Sequence, residues 1–265
     1  PESETTEELE DLFTVRPRAG VDWSPDATWQ VAYRSTLTDP NETGAWLQQG
    51  SVSEPDTLLA NETTSEGWLI QTSERIARET RVYFWSPDVF EGDVAIQFDF
   101  RPEQDSGLAL LVAQAGGLQR EDFIADHPPR TSGAMTTIIS SNVRNYHWEF
   151  FRKAVDVRAD LGTQVLVKNP WQRPLGMVTR EPLEVGQWHR LLFVQEGDRI
   201  RCAIDGQWLL DVHDDPWVNA GPVFSHGRIG LRLMYQTRMR FRDLTVWSRF
   251  PVPLGTRESP HRVSD

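Results

Sequence analysis

The chain has 265 residues, 38% of them apolar, enough to bury a substantial core in one large all-β domain or two small ones. Its formal charge of −12 and its scattered arginines argue against nucleic acid and anionic membranes as partners. The single cysteine, Cys202, excludes an intrachain disulfide, and no apolar run reaches the roughly 18–20 residues that span a bilayer.

Residues 1–20 are acidic and polar and read as a flexible N-terminal arm, with "TEELEDLF" as a candidate short helix. From 21 to 250 the texture is that of one β domain: short apolar runs such as "WQVAYR", "GWLIQTS", "RVYFWS" and "DVAIQFDFRP" lie between turn residues. Two "NET" triplets, at 41–43 and 61–63, fit the N-glycosylation pattern and are read as loops. Residues 251–265 form a polar tail. No segment sustains a helical period, so the expected fold is an antiparallel β-sandwich of two sheets.

In "NYHWEFFRKA" alternation puts Asn145, His147, Glu149 and Phe151 on one face of a strand. Tyr146, Trp148, Phe150 and Arg152 fall on the other, which suits the interior. "QVLVKNPW" adds Lys168 and Asn169, with Trp171 on the following loop. The hairpin at 188–212 is the clearest local piece: His189, Leu191 and Phe193 alternate with Arg190, Leu192 and Val194, and Ile200, Cys202 and Ile204, on the apolar side, alternate with Arg201, Ala203 and Asp205. Cys202 is therefore expected to be an inert core thiol. "DVHDDPW" at 211–217 reads as a solvated acidic loop. In "GRIGLRLMYQ", Ile229, Leu231, Leu233 and Tyr235 share one face; Arg228, Gly230, Arg232, Met234 and Gln236 share the other, which looks like a surface that something lies against. Arg173 and Arg180 in the loop beyond Trp171 are further candidates to reach an anion.

The run "NYHWEFFRK", followed by "VLVKNPW", the 188–212 hairpin and "GRIGLRLMYQTRMRFRDLTVW", resembles domain-of-unknown-function family 1961, the YesU-like bacterial proteins. The likeness covers about residues 94–247. The chain keeps Tyr146, His147, Arg152, Lys168, Asn169 and Pro170 of the family pattern, and departs from it with Glu149 in place of a serine and Trp171 in place of a glycine. The resemblance implies a concanavalin A-like jelly roll and a link to plant or algal polysaccharide breakdown. It also implies a bacterial source. With the missing initiator methionine, it points to a periplasmic or secreted protein.

Elimination from a uronate-containing oligosaccharide needs a cation or amide on the carboxylate, a base for the adjacent proton and an acid for the leaving oxygen. His147 as base, Tyr146 or Tyr235 as acid, and Arg232 with Gln236 or Arg152 on the carboxylate meet that need. Asn145, Lys168, Asn169 and Trp171 would line the rim. Glu149 beside His147 is expected to orient the imidazole and raise its pKa. Two alternatives stand beside this. A glycoside hydrolase would use Glu149, with a second carboxyl such as Asp99, although retaining enzymes of that class place two carboxyls about 5–5.5 Å apart and no Glu-x-Asp-x-x-Glu run occurs. A non-catalytic lectin-like protein would hold a sugar with Trp171, Phe151, Met234 and Arg232. No phosphate loop, zinc pattern or dinucleotide fingerprint is present, so no metal and no cofactor is expected. The sequence leaves the oligomeric state open.

Overall fold

A β-strand buries every second side chain, and a chain of such strands is stable only when two sheets press their apolar faces together. In the computed structural model, which describes residues 20–50, 57–75, 81–131, 142–153, 163–179, 182–219 and 221–250, that is what forms. The expected helix near the N-terminus, Arg180 and the C-terminal tail lie outside the described residues.

The elements run β1 (Gln30–Ser35), α1 (Pro40–Gly44), β2 (Leu47–Gly50), β3 (Leu58–Thr64), β4 (Gly67–Thr72), β5 (Val82–Trp85) and β6 (Phe90–Glu91). Then come β7 (Asp93–Pro102), β8 (Gly107–Gly117), β9 (Val143–Lys153), β10 (Thr163–Asn169) and β11 (Arg173–Thr179). The last are β12 (His189–Glu196), β13 (Arg199–Ile204), β14 (Gln207–His213), β15 (His226–Leu233) and β16 (Arg238–Arg249). The first sheet has the order β14-β13-β12-β7-β16-β4-β3, with β1 also on β16. The second has the order β11-β10-β9-β8-β15-β5-β2, with β6 also on β15. Every pairing among the described residues is antiparallel. The fold is the all-β sandwich that the strand pattern predicts, in the jelly-roll form that the resemblance implies.

Between the sheets lie Phe98 and Phe100 of β7, Phe241 of β16, and Trp148 and Phe150 of β9. The rings of Phe100 and Phe150 meet edge-to-face across the two sheets, 4.8 Å between centroids. Each such ring contributes about 1.5–3 kcal/mol by leaving water. The alternation of the hairpin holds, and the structure shows its direction: Leu191, Phe193, Ile200, Cys202 and Ile204 face this core, while Leu192, Val194 and Ala203 face the other way. Cys202 is fully buried, and burial pushes its thiol pKa well up, so it stays protonated.

The outer face of the first sheet is apolar too. Trp29, Leu192, Val194, Ala203 and Trp208 form a cluster there, and Val21, Trp23 and Trp247 pack against it. Trp23 meets Trp29 and Trp247 edge-on at 5.6 and 5.8 Å. The amide of Val21 donates to the Gly206 carbonyl at 2.8 Å, which ties this segment to the β13–β14 turn. Several of the chain's tryptophans are therefore spent on packing.

Both "NET" triplets correct the loop reading. Asn41 sits in α1, whose first turn is capped by the Asp39 carboxylate accepting from the Asn41 amide at 2.8 Å. Asn61 lies within β3, and its Oδ1 accepts from Trp68 Nε1 at 2.6 Å.

Candidate functional site

Residues paired across neighbouring strands share a face of the sheet. On the face of the second sheet turned away from the core, one row reads Tyr83, Arg232, Leu110, Glu149. The next reads Trp85, Gly230, Val112, His147, Val167. Asn145 and Asn169 are paired beyond them. Asn145, His147, Glu149 and Arg232 thus come together as the alternation predicts.

A β-bulge in β9 then resets the alternation. Leu110 pairs with Glu149 and Ala109 with Phe151, so Phe150 is an extra residue opposite no partner of its own. Phe150 and Phe151 both join the core, and strict alternation fails at this point. Arg152, expected on the interior side, instead stands on the outer face with its Nη1 on the Glu149 Oε2. Phe151, read as a ring on the polar face, is in the core.

Tyr235 is also on the outer face, not the interior one. Strand β15 ends at Leu233, and Met234 and Tyr235 then pack on Leu108 and Leu110. Gln236 comes next with a positive φ of 56°, and its carbonyl accepts from Gln104 and Ser106.

Tyr146 and Lys168 correct the site in the opposite sense. They are paired with each other on the interior side of the sheet. Lys168 Nζ reaches Asp214 Oδ2 at 2.8 Å and the Gly221 carbonyl at 2.8 Å. The Tyr146 hydroxyl donates to Asp214 Oδ2 at 2.5 Å and accepts from the Phe224 amide at 2.9 Å. Burial, and then the Asp214 charge, push the Tyr146 hydroxyl far above its ordinary pKa. All three side chains are buried, so Asp214 is no part of a solvated acidic loop. This cluster pins Asp214, Gly221 and Phe224 to β9 and β10 and leaves neither Tyr146 nor Lys168 facing His147. Trp171 stands exposed on the β10–β11 turn, and Arg173 opens β11 from an exposed position. Asp99 lies on the first sheet, bound by Arg190 at 2.7 Å, and so is remote from Glu149 by a whole layer.

His147 is 1% exposed. Its Nδ1 accepts from Asn169 Nδ2 at 2.8 Å, and the same Asn169 nitrogen donates to Asn145 Oδ1 at 2.9 Å. Its Nε2 approaches Glu149 Oε1 to 3.8 Å. The expectation that Glu149 raises the imidazole pKa is overturned. Burial, then the positive charge of Arg232, lower it to about 3. His147 is therefore neutral, and its approach to Glu149 is not an ion pair.

That shift has a consequence for stability. The unfolded imidazole titrates near 6.5. Between that value and about 3 the unfolded chain binds a proton that the folded one refuses. Stability from this group is thus complete above about pH 6.5 and falls as the pH drops towards 3. From about pH 7 to about pH 5 the loss is about 2 kcal/mol. Urea unfolding of His147→Gln should show a smaller loss over the same interval; an equal loss would remove the assignment.

Arg232 is fully buried. Its Nε donates to the Tyr83 hydroxyl at 2.7 Å, while Nη1 and Nη2 have no hydrogen-bond partner among the described residues. Tyr83 is a site residue that the sequence reading missed. The signal was present in "RVYFWS", where Val82 and Phe84 take the core parity and Tyr83 and Trp85 the other.

Gly230 has an unexpected neighbour. A Cβ there would lie 2.5 Å from the Trp85 ring, so what lies against this glycine is the protein's own tryptophan. Trp85 stacks on Tyr83 at 5.6 Å and meets Phe123 edge-on at 4.9 Å. Phe123 comes from the loop after β8, which Arg228 anchors through Asp122 and the carbonyls of Ser86 and Pro87. One half of the outer face is therefore an aromatic wall, and the other half is polar. Gly230→Ala should cost about 1–3 kcal/mol by forcing Trp85 out of place. Near-ultraviolet circular dichroism and thermal unfolding would register it, and a fully stable variant would contradict the packing.

The profile of a domain of unknown function, DUF1961, matches residues 30–246. The chain belongs to the DUF1961 family. The match extends upstream of residue 94, so β1 to β6 are part of the family's domain as well. A relative, the uncharacterized protein YesU of Bacillus subtilis (strain 168), is 25% identical over 172 residues, which are 63% of this chain and 77% of that protein. A crystal structure of a protein of unknown function with galectin-like fold from Bacillus subtilis superposes with a TM-score of 0.73 at 21% identity, over 83% of this chain and 99% of that one. SCLam, a non-specific endo-beta-1,3(4)-glucanase from family GH16, shares the sandwich at TM-score 0.51 and 10% identity, over 88% and 94% of the two chains. The Emp46p carbohydrate recognition domain in its potassium-bound form does so at TM-score 0.54 and 10% identity, over 84% and 100%.

Proposed function

We propose that the protein binds a uronate-containing oligosaccharide on the outer face of the second sheet and cleaves it, or dehydrates it, by elimination. The observation that carries this reading is Arg232, a buried cation whose two terminal nitrogens have no hydrogen-bond partner among the described residues, beside a neutral imidazole. A buried charge is costly until it is paired, and a carboxylate matches a guanidinium fork with two parallel hydrogen bonds.

The carboxylate on Arg232 makes the proton on the adjacent ring carbon acidic. His147 Nε2 takes that proton, and the electron pair it leaves forms a carbon–carbon double bond. The bond to the oxygen on the next carbon breaks, and that oxygen takes its proton from the Tyr235 hydroxyl. The products are an unsaturated uronate and an alcohol, or water if the leaving group is a hydroxyl. The imidazolium then returns a proton through solvent to the tyrosine. A bound carboxylate also offsets the Arg232 charge, which is one of the two causes that keep the imidazole pKa low, so substrate itself strengthens the base.

A hydrolase reading is less well supported. Glu149 is engaged by Arg152, and Asp99, the second carboxyl considered, belongs to the other sheet. Sugars are the class to test first, because the same sandwich serves a glucanase and a carbohydrate recognition domain.

The experiment is incubation with pectic, ulvan-type, alginate and neutral oligosaccharides, followed by mass spectrometry and by ultraviolet absorbance of the conjugated double bond. Loss of water, or cleavage with new absorbance, from acidic sugars alone is the expected result. Cleavage with gain of water would replace elimination by hydrolysis. Saturable binding with no product would leave a lectin-like protein.

A further inference from the structure

The two amides beside His147 contain a symmetry that the reaction can use. Asn169 Nδ2 makes both contacts, one to His147 Nδ1 and one to Asn145 Oδ1. Asn169 Oδ1 and Asn145 Nδ2 are buried and have no partner among the described residues. Turning both amides by half a revolution keeps both contacts. Asn169 Oδ1 then accepts from Asn145 Nδ2 and from a protonated His147 Nδ1, using the two lone pairs of a carbonyl oxygen. The number of open atoms is the same before and after: one amide oxygen and one amide nitrogen.

We infer that Asn145 and Asn169 form a reversible amide chain that decides which nitrogen of His147 carries the proton, and that both are positioning residues for it. In the first arrangement Nδ1 accepts, so the neutral ring carries its proton on Nε2 and cannot act as a base there. In the reversed arrangement Nδ1–H donates to Asn169 Oδ1, and Nε2 faces the Glu149 side with a bare lone pair. The reversed arrangement also stabilises the imidazolium, because Nδ1 keeps an acceptor after Nε2 takes a proton. An ordinary structural asparagine would lock one tautomer. This pair holds two at equal hydrogen-bond count, because each amide is the other's partner. The inference rests on the proposed reading only where it calls His147 the base; the tautomer control stands without it.

The test is long-range proton–nitrogen correlation spectroscopy of the histidine rings in the full chain at neutral pH, without any sugar. The His147 signals are assigned by their loss in His147→Gln. In the native protein the two nitrogens of His147 should give averaged shifts, or two sets of signals, from both tautomers. Asn169→Asp puts an acceptor-only group against Nδ1 and should fix the proton on Nδ1. Asn145→Asp fixes the Asn169 amide nitrogen towards position 145, and through it should fix the proton on Nε2. The two substitutions therefore push one ring in opposite directions, which a purely structural role would not do. A single pure tautomer in the native protein overturns the inference, and that spectrum decides even if a variant does not fold. An unchanged His147 tautomer in two folded variants overturns it as well. No turnover is measured, so failure of the elimination reading in the sugar panel and failure of the amide chain are separate results.

Discussion

Replacing His147 with Ala is expected to lower the release of unsaturated product by about 10²–10⁴-fold, the range over which a positioned general base contributes. The ring is fully enclosed, and its removal leaves Asn169 Nδ2 with one partner, Asn145 Oδ1, where it had two. The variant also loses some stability, about 1–3 kcal/mol for the altered hydrogen bonding. Circular dichroism and the unfolding midpoint must therefore accompany the rate. A folded His147→Ala that still forms product at the native rate would dismiss the base. A folded Arg232→Met gives the complementary result: if the guanidinium holds the carboxylate, acidic sugars should no longer bind, while the neutral variant is relieved of a buried charge.

The largest effect on stability is expected at a place that takes no part in that chemistry. Lys168→Met should destabilise the fold by about 3–5 kcal/mol, because it strips a buried carboxylate of its cation. Asp214 is 0% exposed and, among the described residues, would keep only the Tyr146 hydroxyl as a side-chain donor. The Gly221 carbonyl would lose its donor as well. Replacing Lys168 and Asp214 together with apolar residues should recover much of the loss, since the isolated charge is what costs most. Urea unfolding of the single and double variants checks both statements. A single variant within about 1 kcal/mol of the native protein would show that the pair is not paired in solution.

The sandwich was legible because alternation is a local signal. Residues 188–212 show it cleanly, and Leu191, Phe193, Ile200, Cys202 and Ile204 are where their parity puts them. The site was legible only as far as alternation held. Asn145, His147 and Glu149 were correctly grouped, and Arg232 joins them through two cross-strand pairs. Arg152 and Tyr235 were placed on the wrong face. One comes after a bulge and the other after the end of a strand, and both events reset the parity without altering composition. Lys168 was misread for a different reason. Its parity with Leu166 pointed inward, but a lysine suggests water until its partner is known, and Asp214 is 46 residues away. The parity of Tyr83 could be read from "RVYFWS", but its place beside Arg232 needed the pairing of β5 with β15, a long-range fact that no short stretch of sequence contains.

The bulge at Phe150 gives β9 something like a reading frame. Every side chain after it is displayed on the opposite face from the one an unbroken strand would give it. It is the bulge that sets a cation beside Glu149. Smoothing it into regular pairing, with no change of sequence, would exchange the places of Arg152 and Phe151, putting a charge into the core and a ring onto the polar face. Related chains that lack the bulge can therefore present different chemistry on the same scaffold, and aligning them by residue type alone would hide it.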